Sequence, residues 1–188
     1  MKRTKTNQPS NYRVLACDPS MTAWGWAIVD ENAAVIDFGT IKTESTAKKL
    51  RIRKGDSTVA RISEINKILL GVIRKHKVKH IVSELPHGSQ NASAAVMIGA
   101  TAAIVQTLSD ILQLPIDWFS EQDAKKEVLG KKSATKQEMI DTMAFHYQGW
   151  ATGIKFRDES VADALAVYYT ACRQSQGLKA VLNYHKPE

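Results

Sequence analysis

The pattern of apolar and polar positions predicts five strands and five helices, separated by turn signals. Short apolar runs predict strands at Arg13–Cys17, Gly25–Val29, Ala33–Lys42, Lys79–Ser83 and Ile116–Phe119. Helical spacing between Gly and Pro breaks predicts helices at Ser57–His76, Asn91–Leu114, Glu121–Leu129, Thr135–Trp150 and Glu159–Gln176. Ser57 is the predicted N-cap of the first helix, and the residues before it, 48–56, form a predicted basic loop. Three strands in a row, then alternating helices and strands, predict an α/β domain with a mixed five-stranded sheet and helices on both faces.

The length of 188 residues fits one globular domain. We expect a flexible basic arm at 1–12, a folded domain at 13–176 and a C-terminal tail at 177–188. Cys17 and Cys172 are far apart and lack metal-type spacing, which favours reduced thiols in a cytoplasmic protein and disfavours a zinc site. Trp24 and Trp26 point to the same face of their strand, which favours packing in a core or an interface.

The segment His87–Ser109 contains no Asp, Glu, Lys or Arg and is long enough to span a bilayer. Its apolar residues are mostly alanine, and Ser, Thr, Asn and Gln interrupt them, so its tendency to insert is weak. The sequence therefore predicts a helix buried in the protein and no membrane association.

A formal net charge of +7 favours polyanions as partners, nucleic acid above all. The basic residues cluster in three stretches, and the alternative for each is an ordinary solvated face. The stretches are Lys2, Arg3, Lys5 and Arg13; Lys42, Lys48, Lys49, Arg51, Arg53 and Lys54; and Lys125, Lys126, Lys131, Lys132 and Lys136. Such groups contact phosphates in nucleic-acid-binding proteins.

Acidic residues stand where predicted elements end. Asp18 follows the first strand, Glu84 follows the fourth, and Asp163 lies on the last helix with Glu159 four residues before it. Carboxylate oxygens are preferred ligands of Mg²⁺, and two ions held together can stabilise both the attacking and the leaving oxygen of a phosphodiester. Turn formation or capping is the alternative role for each acid taken singly.

Four segments, in order, resemble the motifs of RuvC-type Holliday junction resolvases. LACDPSMTAWGW (15–26) is similar to the opening strand, whose pattern is I-x-G-I-D-P-G-x-T-x-x-G-Y. IVSE (81–84) followed by QNASAA (90–95) resembles the second acidic strand and the helix start behind it. KKEVLG (125–130) with TKQ (135–137), and ADALA (162–166), resemble the basic stretch and the closing motif. The resemblance runs from about Arg13 to Ala171.

This resemblance implies a ribonuclease H-like fold and a homodimeric, metal-dependent endonuclease that cuts four-way DNA junctions in recombination and repair. It implies two Mg²⁺ ions, with Mn²⁺ as an alternative, and no small-molecule cofactor. The implied metal ligands and catalytic residues are Asp18, Glu84 and Asp163. The predicted DNA contacts are Arg51, Arg53, His87, Asn91, Lys125, Lys132 and Lys136.

The sequence departs from the family pattern at two positions. The family usually has Asp or His three residues before the last acid, where this chain has Ser160. Glu159 lies on nearly the same helical face as Asp163 and is the predicted fourth catalytic metal ligand, with a first-turn acid stabilised by the helix dipole as the alternative. Asp158 would replace it if the helix started later. His87 stands where bacterial members carry an aromatic residue that stacks on a base.

Two other functions stay open. Ser160 supports a catalytically inactive or relaxed-specificity protein that binds branched DNA. The segment Asp18–Thr22 is also similar to the phosphate loop of sugar kinases and actin-like ATPases, which share the core fold. Those enzymes need two such domains, and the sequence shows no second glycine-rich phosphate loop, which disfavours a phosphotransferase fragment.

Overall fold

A central five-stranded sheet organises the chain, for which a computed structural model describes residues 11–185. The strands are β1 (Arg13–Asp18), β2 (Ala23–Asp30), β3 (Val35–Lys42), β4 (His80–Glu84) and β5 (Ile116–Phe119). Their order is β3-β2-β1-β4-β5; the β3–β2 and β2–β1 pairs are antiparallel and the β1–β4 and β4–β5 pairs are parallel. This arrangement confirms the predicted mixed sheet.

Seven helices occupy the described part of the chain. They are α1 (Ala47–Leu50), α2 (Lys54–His76), α3 (Ala92–Leu112), α4 (Glu121–Leu129), α5 (Lys136–His146), α6 (Lys155–Gln174) and α7 (Gln176–His185). Successive side chains of a strand point to opposite faces, and β1 contributes to a separate core on each. Val14 and Ala16 pack with α5 and α6, whereas Leu15 and Cys17 pack with α2 and α3. Helices on both faces are therefore confirmed.

Helix α6 lies close against the sheet near the start of β2. A Cβ atom added at Gly25 would lie 1.9 Å from the carbonyl oxygen of Ser160, so no side chain fits at this position. The two tryptophans on either side of Gly25 are buried in the core on the opposite face, with Trp24 fully covered and Trp26 nearly so. Core packing is thus confirmed for both, and Gly25 admits the helix that carries Asp163.

Helix α3 combines a buried side with an exposed apolar side. Ile104, Val105 and Leu108 are buried against the sheet, whereas Val96 and Ile111 are 64% and 72% exposed. By length and composition alone this helix could cross a membrane. Inside the protein, 28% of its most apolar stretch of 18 residues is buried. The prediction of a buried helix therefore holds for one side of α3 only.

Several predicted boundaries were wrong. Helix α2 starts at Lys54 with Arg53 as N-cap, and Ser57 is not the cap because its hydroxyl lies inside the helix and accepts a hydrogen bond from the Thr46 amide at 3.0 Å. The predicted basic loop 48–56 is thereby divided between α1, a short connection and α2. Helix α5 ends at His146, before Gly149, whose φ of 84° is left-handed.

The two predicted terminal segments have different outcomes. The predicted tail, 177–188, belongs to α7 as far as residue 185, and its Leu178 is fully buried in the core under α6. The predicted arm, 1–12, lies outside the described residues except for Asn11 and Tyr12. Lys2, Arg3 and Lys5 are among the residues outside. Cys17 and Cys172 lie on opposite faces of the sheet and are not paired with each other.

Candidate active site

The acids Asp18 and Glu84 end two adjacent parallel strands. Cys17 pairs with Ser83 in the β1–β4 register, so the next residue of each strand, Asp18 and Glu84, stands at the same edge of the sheet. Both are partly buried, and Asp163 approaches them from α6, which packs on β1 and β4. The structure therefore brings together the three acids that the sequence predicted as a site.

The like charges of these acids and their burial disfavour ionisation. The pKa of Asp18 is raised well above its ordinary value by burial first and then by Asp163, Glu84 and Glu121. Burial, with Asp163 and Glu121, raises the pKa of Glu84 to about 7. The pKa of Asp163 is also raised, mainly by burial. A cluster of this kind is favourable when a cation compensates its charge.

Glu121 is an acid of the site that sequence reasoning missed. It is the first residue of α4, directly after the Ser120 cap that follows β5, and it forms an ion pair with Lys125 one turn later. Its negative charge contributes to the raised pKa of Asp18, Glu84 and Asp163 alike. The signal that could have found it is the one used for Asp18 and Glu84, because Glu121 also follows a strand that runs parallel to β4.

Asp158 and Ser160, on either side of Glu159 in α6, have structural roles. Asp158 is buried, and its carboxylate accepts hydrogen bonds from the Thr152 amide and hydroxyl and from the Gly153 amide at 2.6 to 3.1 Å. The Ser160 hydroxyl is 2.8 Å from the Thr40 hydroxyl and 3.2 Å from the Arg157 carbonyl oxygen, to which it donates. Asp158 and Ser160 thus hold the start of α6 in place.

Glu159, the predicted fourth ligand, is ion-paired with Lys136 from the start of α5. Because α6 already begins at Lys155, Glu159 lies beyond its first turn, which weakens the alternative of a first-turn acid. Lys136 also lowers the pKa of both Asp18 and Asp163, so this lysine lies near the acid cluster.

Four of the seven predicted DNA contacts lie in two separate places. Lys125 and Lys136 lie at the acid cluster, where Lys125 lowers the pKa of Glu84 and of Asp163. Arg51 and Arg53 are exposed ahead of α2, on the opposite face of the sheet from α4 and α6, and Arg53 is paired with Asp56 at 2.8 Å.

The remaining predicted contacts are exposed at the surface. Lys132 lies in the connection between α4 and α5, and His87 lies in the loop that follows Glu84. Asn91 caps α3 by accepting a hydrogen bond from the Ala94 amide at 3.1 Å, which gives it a structural role as well. Their DNA contacts stay predictions.

Arg61 of α2 fixes the loop that follows Asp18. Its guanidinium donates to the Met21 carbonyl oxygen at 2.8 Å and to the Thr43 hydroxyl at 2.7 Å. The Thr43 hydroxyl in turn donates to the same Met21 oxygen. This arrangement ties the β1–β2 turn to the end of β3, and sequence reasoning had no motif that pointed to it.

The residues of the cluster suit a hard divalent cation. Carboxylate oxygens are the ligands that Mg²⁺ and Mn²⁺ prefer, and Asp18, Glu84 and Asp163 offer them from three elements. Within residues 11–185, no three His, Cys, Asp or Glu side chains are already arranged so that they could hold a metal ion. The acids share one edge of the sheet, so their carboxylates would turn toward an ion on binding it.

Likeness to solved structures defines the class of fold. The chain superimposes on Thermus thermophilus RuvC in complex with Holliday junction substrate with a TM-score of 0.69 at 19% identity, covering 89% of this chain and 97% of that one. The yeast mitochondrial Holliday junction resolvase matches with a TM-score of 0.62 at 13% identity, covering 96% and 85%. The fold is therefore ribonuclease H-like, as predicted.

The sequence comparison identifies the family. The family model "Crossover junction endodeoxyribonuclease RuvC" matches residues 14–171, so the chain belongs to the RuvC family. Crossover junction endodeoxyribonuclease RuvC from Rickettsia bellii is 29% identical over 160 residues, which are 84% of this chain and 94% of that protein. The protein of the same name from a Wolbachia of Brugia malayi is 26% identical over 156 residues, or 82% and 90%.

Proposed function

We propose that this protein is a structure-selective endonuclease that resolves four-way DNA junctions by two-metal phosphodiester hydrolysis. The observation that carries the proposal is the meeting of Asp18, Glu84 and Asp163 at one edge of the sheet in a member of the RuvC family. These carboxylates would hold two Mg²⁺ ions, with Mn²⁺ as an alternative. The ions would supply charge stabilisation to the attacking and leaving oxygens of the phosphodiester.

The basic residues beside the cluster would hold the DNA backbone. Lys125 pairs with Glu121 and Lys136 pairs with Glu159; we call these two acids, at the border of the cluster, the rim acids. Both lysines also lower the pKa of Asp163. A phosphate arriving at the site offers these lysines a second anionic partner and would place the scissile bond next to the carboxylates. His87 and Asn91, in the loop after Glu84 and at the start of α3, would contact the DNA near the branch point.

A homodimer is part of the proposal, since a symmetrical four-way junction presents two equivalent cleavage positions. Its interface would use α3, which leaves Val96 and Ile111 exposed beside the small residues Gly99 and Ala103. Small residues allow two helices to approach closely, and apolar side chains are stabilised by removal from water. Light scattering at micromolar concentration tests this: a monomer that still cuts junctions would contradict it.

Cleavage of a synthetic four-way junction tests the activity. We expect wild-type protein to cut the junction with Mg²⁺, to leave it intact in EDTA and to spare a linear duplex of the same sequence. Asp163→Asn should abolish cleavage and preserve junction binding in a gel-shift measurement. Binding without any cleavage by wild-type protein in Mg²⁺ or Mn²⁺ would instead favour the inactive DNA-binding protein that Ser160 suggests.

Glu159 stays the sequence-based candidate for a fourth catalytic ligand. Its test is the pair Glu159→Gln and Ser160→Ala, assayed for junction cleavage. If Glu159 holds an ion, the first variant loses most of its activity and the second loses little. The reverse result would mean that Ser160 positions a water at the metal site and that Glu159 is only an acid near the start of the helix.

A further inference from the structure

Ser160 is committed to packing and leaves the usual fourth-acid position without a carboxylate. Its hydroxyl contacts the Thr40 hydroxyl at 2.8 Å and the Arg157 carbonyl oxygen at 3.2 Å. Its Cβ and carbonyl lie where a side chain on Gly25 would have to be, which shows how tightly this turn of α6 is pressed on β2. A fourth carboxylate for the site would therefore have to come from another position.

We propose that Glu121 supplies this fourth carboxylate, from the opposite side of the cluster. The inference rests on the proposed two-metal function. In the β4–β5 register Glu84 pairs with Phe119, and the Leu85 amide donates to the Phe119 carbonyl oxygen at 2.8 Å. Glu121 follows Phe119 by two residues, so the sheet places it beside Glu84 at the edge where the strands end.

The start of α4 holds Glu121 in a defined position. The Ser120 hydroxyl accepts a hydrogen bond from the Asp123 amide at 3.1 Å, and the Asp123 carboxylate accepts from the Ser120 amide at 3.2 Å. This reciprocal capping box fixes the first turn of the helix, and α4 packs on α6, the helix of Asp163. The Glu121 backbone is thus anchored to both elements that carry the neighbouring acids.

The electrostatics of the cluster agree with this placement. Glu121 raises the pKa of Asp18, Glu84 and Asp163, so its charge acts on all three. Its side chain is 47% exposed, which leaves it room to turn toward an ion at the rim. Lys125 compensates its charge in the metal-free protein, and a phosphate that binds Lys125 would release Glu121 for the metal.

Glu159 is the competing acid, and its geometry differs. It approaches from α6, on the same helix as Asp163, and is held by Lys136, which itself lowers the pKa of Asp18 and Asp163. A shift of Glu159 toward an ion would therefore draw on a cation that already stabilises two of the ligands. The same holds for Glu121, whose partner Lys125 lowers the pKa of Glu84 and Asp163. What favours Glu121 is its place after β5, beside Glu84, and the action of its own charge on Asp18, Glu84 and Asp163.

Direct Mn²⁺ binding to the full-length, DNA-free protein tests the proposal. We expect Glu121→Gln to weaken Mn²⁺ binding, measured by isothermal titration calorimetry and by electron paramagnetic resonance of free Mn²⁺, by about tenfold or more. Glu127→Gln is the matched control: it is the same substitution on the same helix, and Glu127 faces Gln174 and Arg173. Equal Mn²⁺ affinity in the Glu121→Gln and Glu127→Gln variants would overturn the proposal.

Further variants separate this inference from the proposed function. Asp163→Asn should lose Mn²⁺ binding; if it binds as well as wild type, the metal site itself is wrong. In a second outcome, Asp163→Asn loses Mn²⁺ binding, Glu159→Gln weakens it and Glu121→Gln leaves it unchanged. The two-metal site then stands, and Glu121 is excluded as a ligand. Thermal melts followed by circular dichroism show whether the Glu121→Gln variant is folded.

The variant Lys125→Met frees Glu121 from its ion pair and should therefore raise the affinity for Mn²⁺. Unchanged or lower affinity in Lys125→Met would count against the proposal.

Discussion

Acidic residues have different partners at the two ends of the sheet, where β1 and β4 begin and where they end. Toward the edge where β1 and β4 begin, Asp37 accepts hydrogen bonds from His76 at 2.7 Å and Lys75 at 2.8 Å, and Asp117 accepts from Ser175 at 2.6 Å and lies 2.8 Å from His80. At the edge where these strands end, Asp18 and Glu84 mainly face other acids.

The pKa values express this difference. Burial alone would raise the pKa of Asp37, but the hydrogen bonds from Lys75 and His76 outweigh it and lower that pKa. At the other edge burial and neighbouring acids act in the same direction, and the pKa of Glu84 rises to about 7. Acids whose partners belong to the fold stabilise it, whereas acids that lack such partners depend on something that binds.

The largest expected effect is the loss of cleavage on neutralising one acid of the strand-end edge. Asp18→Asn should reduce junction cleavage by roughly a thousandfold, since each bound ion contributes several kcal/mol to the transition state. Junction binding should persist, because the basic residues are unchanged. Single-turnover cleavage with Mg²⁺, alongside gel-shift binding, measures both. Near-normal cleavage by Asp18→Asn would remove this residue from the site.

The second prediction concerns metal-free stability and pH. Because the pKa of Glu84 rises from its ordinary 4.5 to about 7 on folding, the folded protein takes up a proton that the unfolded chain has released. The contribution of Glu84 to the free energy of unfolding is therefore fully present below about pH 4.5, and it is lost as the pH rises through 7. The loss is on the order of 3 kcal/mol at pH 8.

Glu84→Gln isolates this contribution. In EDTA the variant should melt higher than wild type at pH 8 and close to wild type at pH 4.5. Added Mg²⁺ should reverse the order at pH 8, since only wild type keeps the full ligand set. A wild-type melting temperature that exceeds that of Glu84→Gln at pH 8 in EDTA would show that the acids are not in conflict.

The third prediction addresses the edge where the strands begin. Asp117→Asn removes the negative charge and one of the two oxygens of the carboxylate that His80 and Ser175 share. His80 is buried, and the Ser175 hydroxyl also accepts from the Leu178 amide at the start of α7. We expect a loss of about 1 to 3 kcal/mol in the free energy of unfolding, with cleavage unchanged below the melting transition.

Asp110→Asn is the matched control for that loss, because Asp110 is exposed on α3 and accepts only from the Gln106 side chain among the described contacts of its carboxylate. Its effect should stay within about 0.5 kcal/mol. Urea denaturation of both variants decides the matter. Equal stabilities would mean that the polar cluster around Asp117 contributes little to holding α7.

The sequence predicted the strand-end site better than it predicted the helix boundaries, for a physical reason. Asp18 and Glu84 follow apolar strands, and once β1 and β4 are parallel neighbours their next residues must share an edge. Ser57 has the chemistry of an N-cap, but a contact from Thr46, eleven residues earlier, uses its hydroxyl within α2. Such long-range contacts leave no local pattern in the sequence.

Glu121 and α7 were missed for different reasons. The four motifs of the family contain no acid at the start of α4, so Glu121 went unnoticed although it obeys the same strand-end logic as Glu84. The residues of α7 are few, and the burial of Leu178 depends on the Ser175 turn that folds this helix back on α6. Neither feature could be found by comparing motifs alone.

The last prediction measures how far the basic surface reaches across the two faces of the sheet. Lys125 and Lys136 lie at the acids, whereas Arg51 and Arg53 precede α2 on the opposite face. Each phosphate contact contributes about 0.9 to the slope of log K against log salt concentration. Lys125→Ala and Lys136→Ala should each lower that slope by about this amount for junction binding, because both lysines would exchange an acid partner for a phosphate.

Arg51→Ala and Arg53→Ala give the contrast, because a junction arm must extend past α2 to meet them. A slope that falls with these variants for a junction with long arms, and not for one with short arms, would place an arm along this part of the chain. Lys67→Ala, which removes an exposed cation from the middle of α2, is the control. If all five variants leave the slope unchanged, the DNA binds elsewhere, and the pairing of lysines with rim acids serves folding alone.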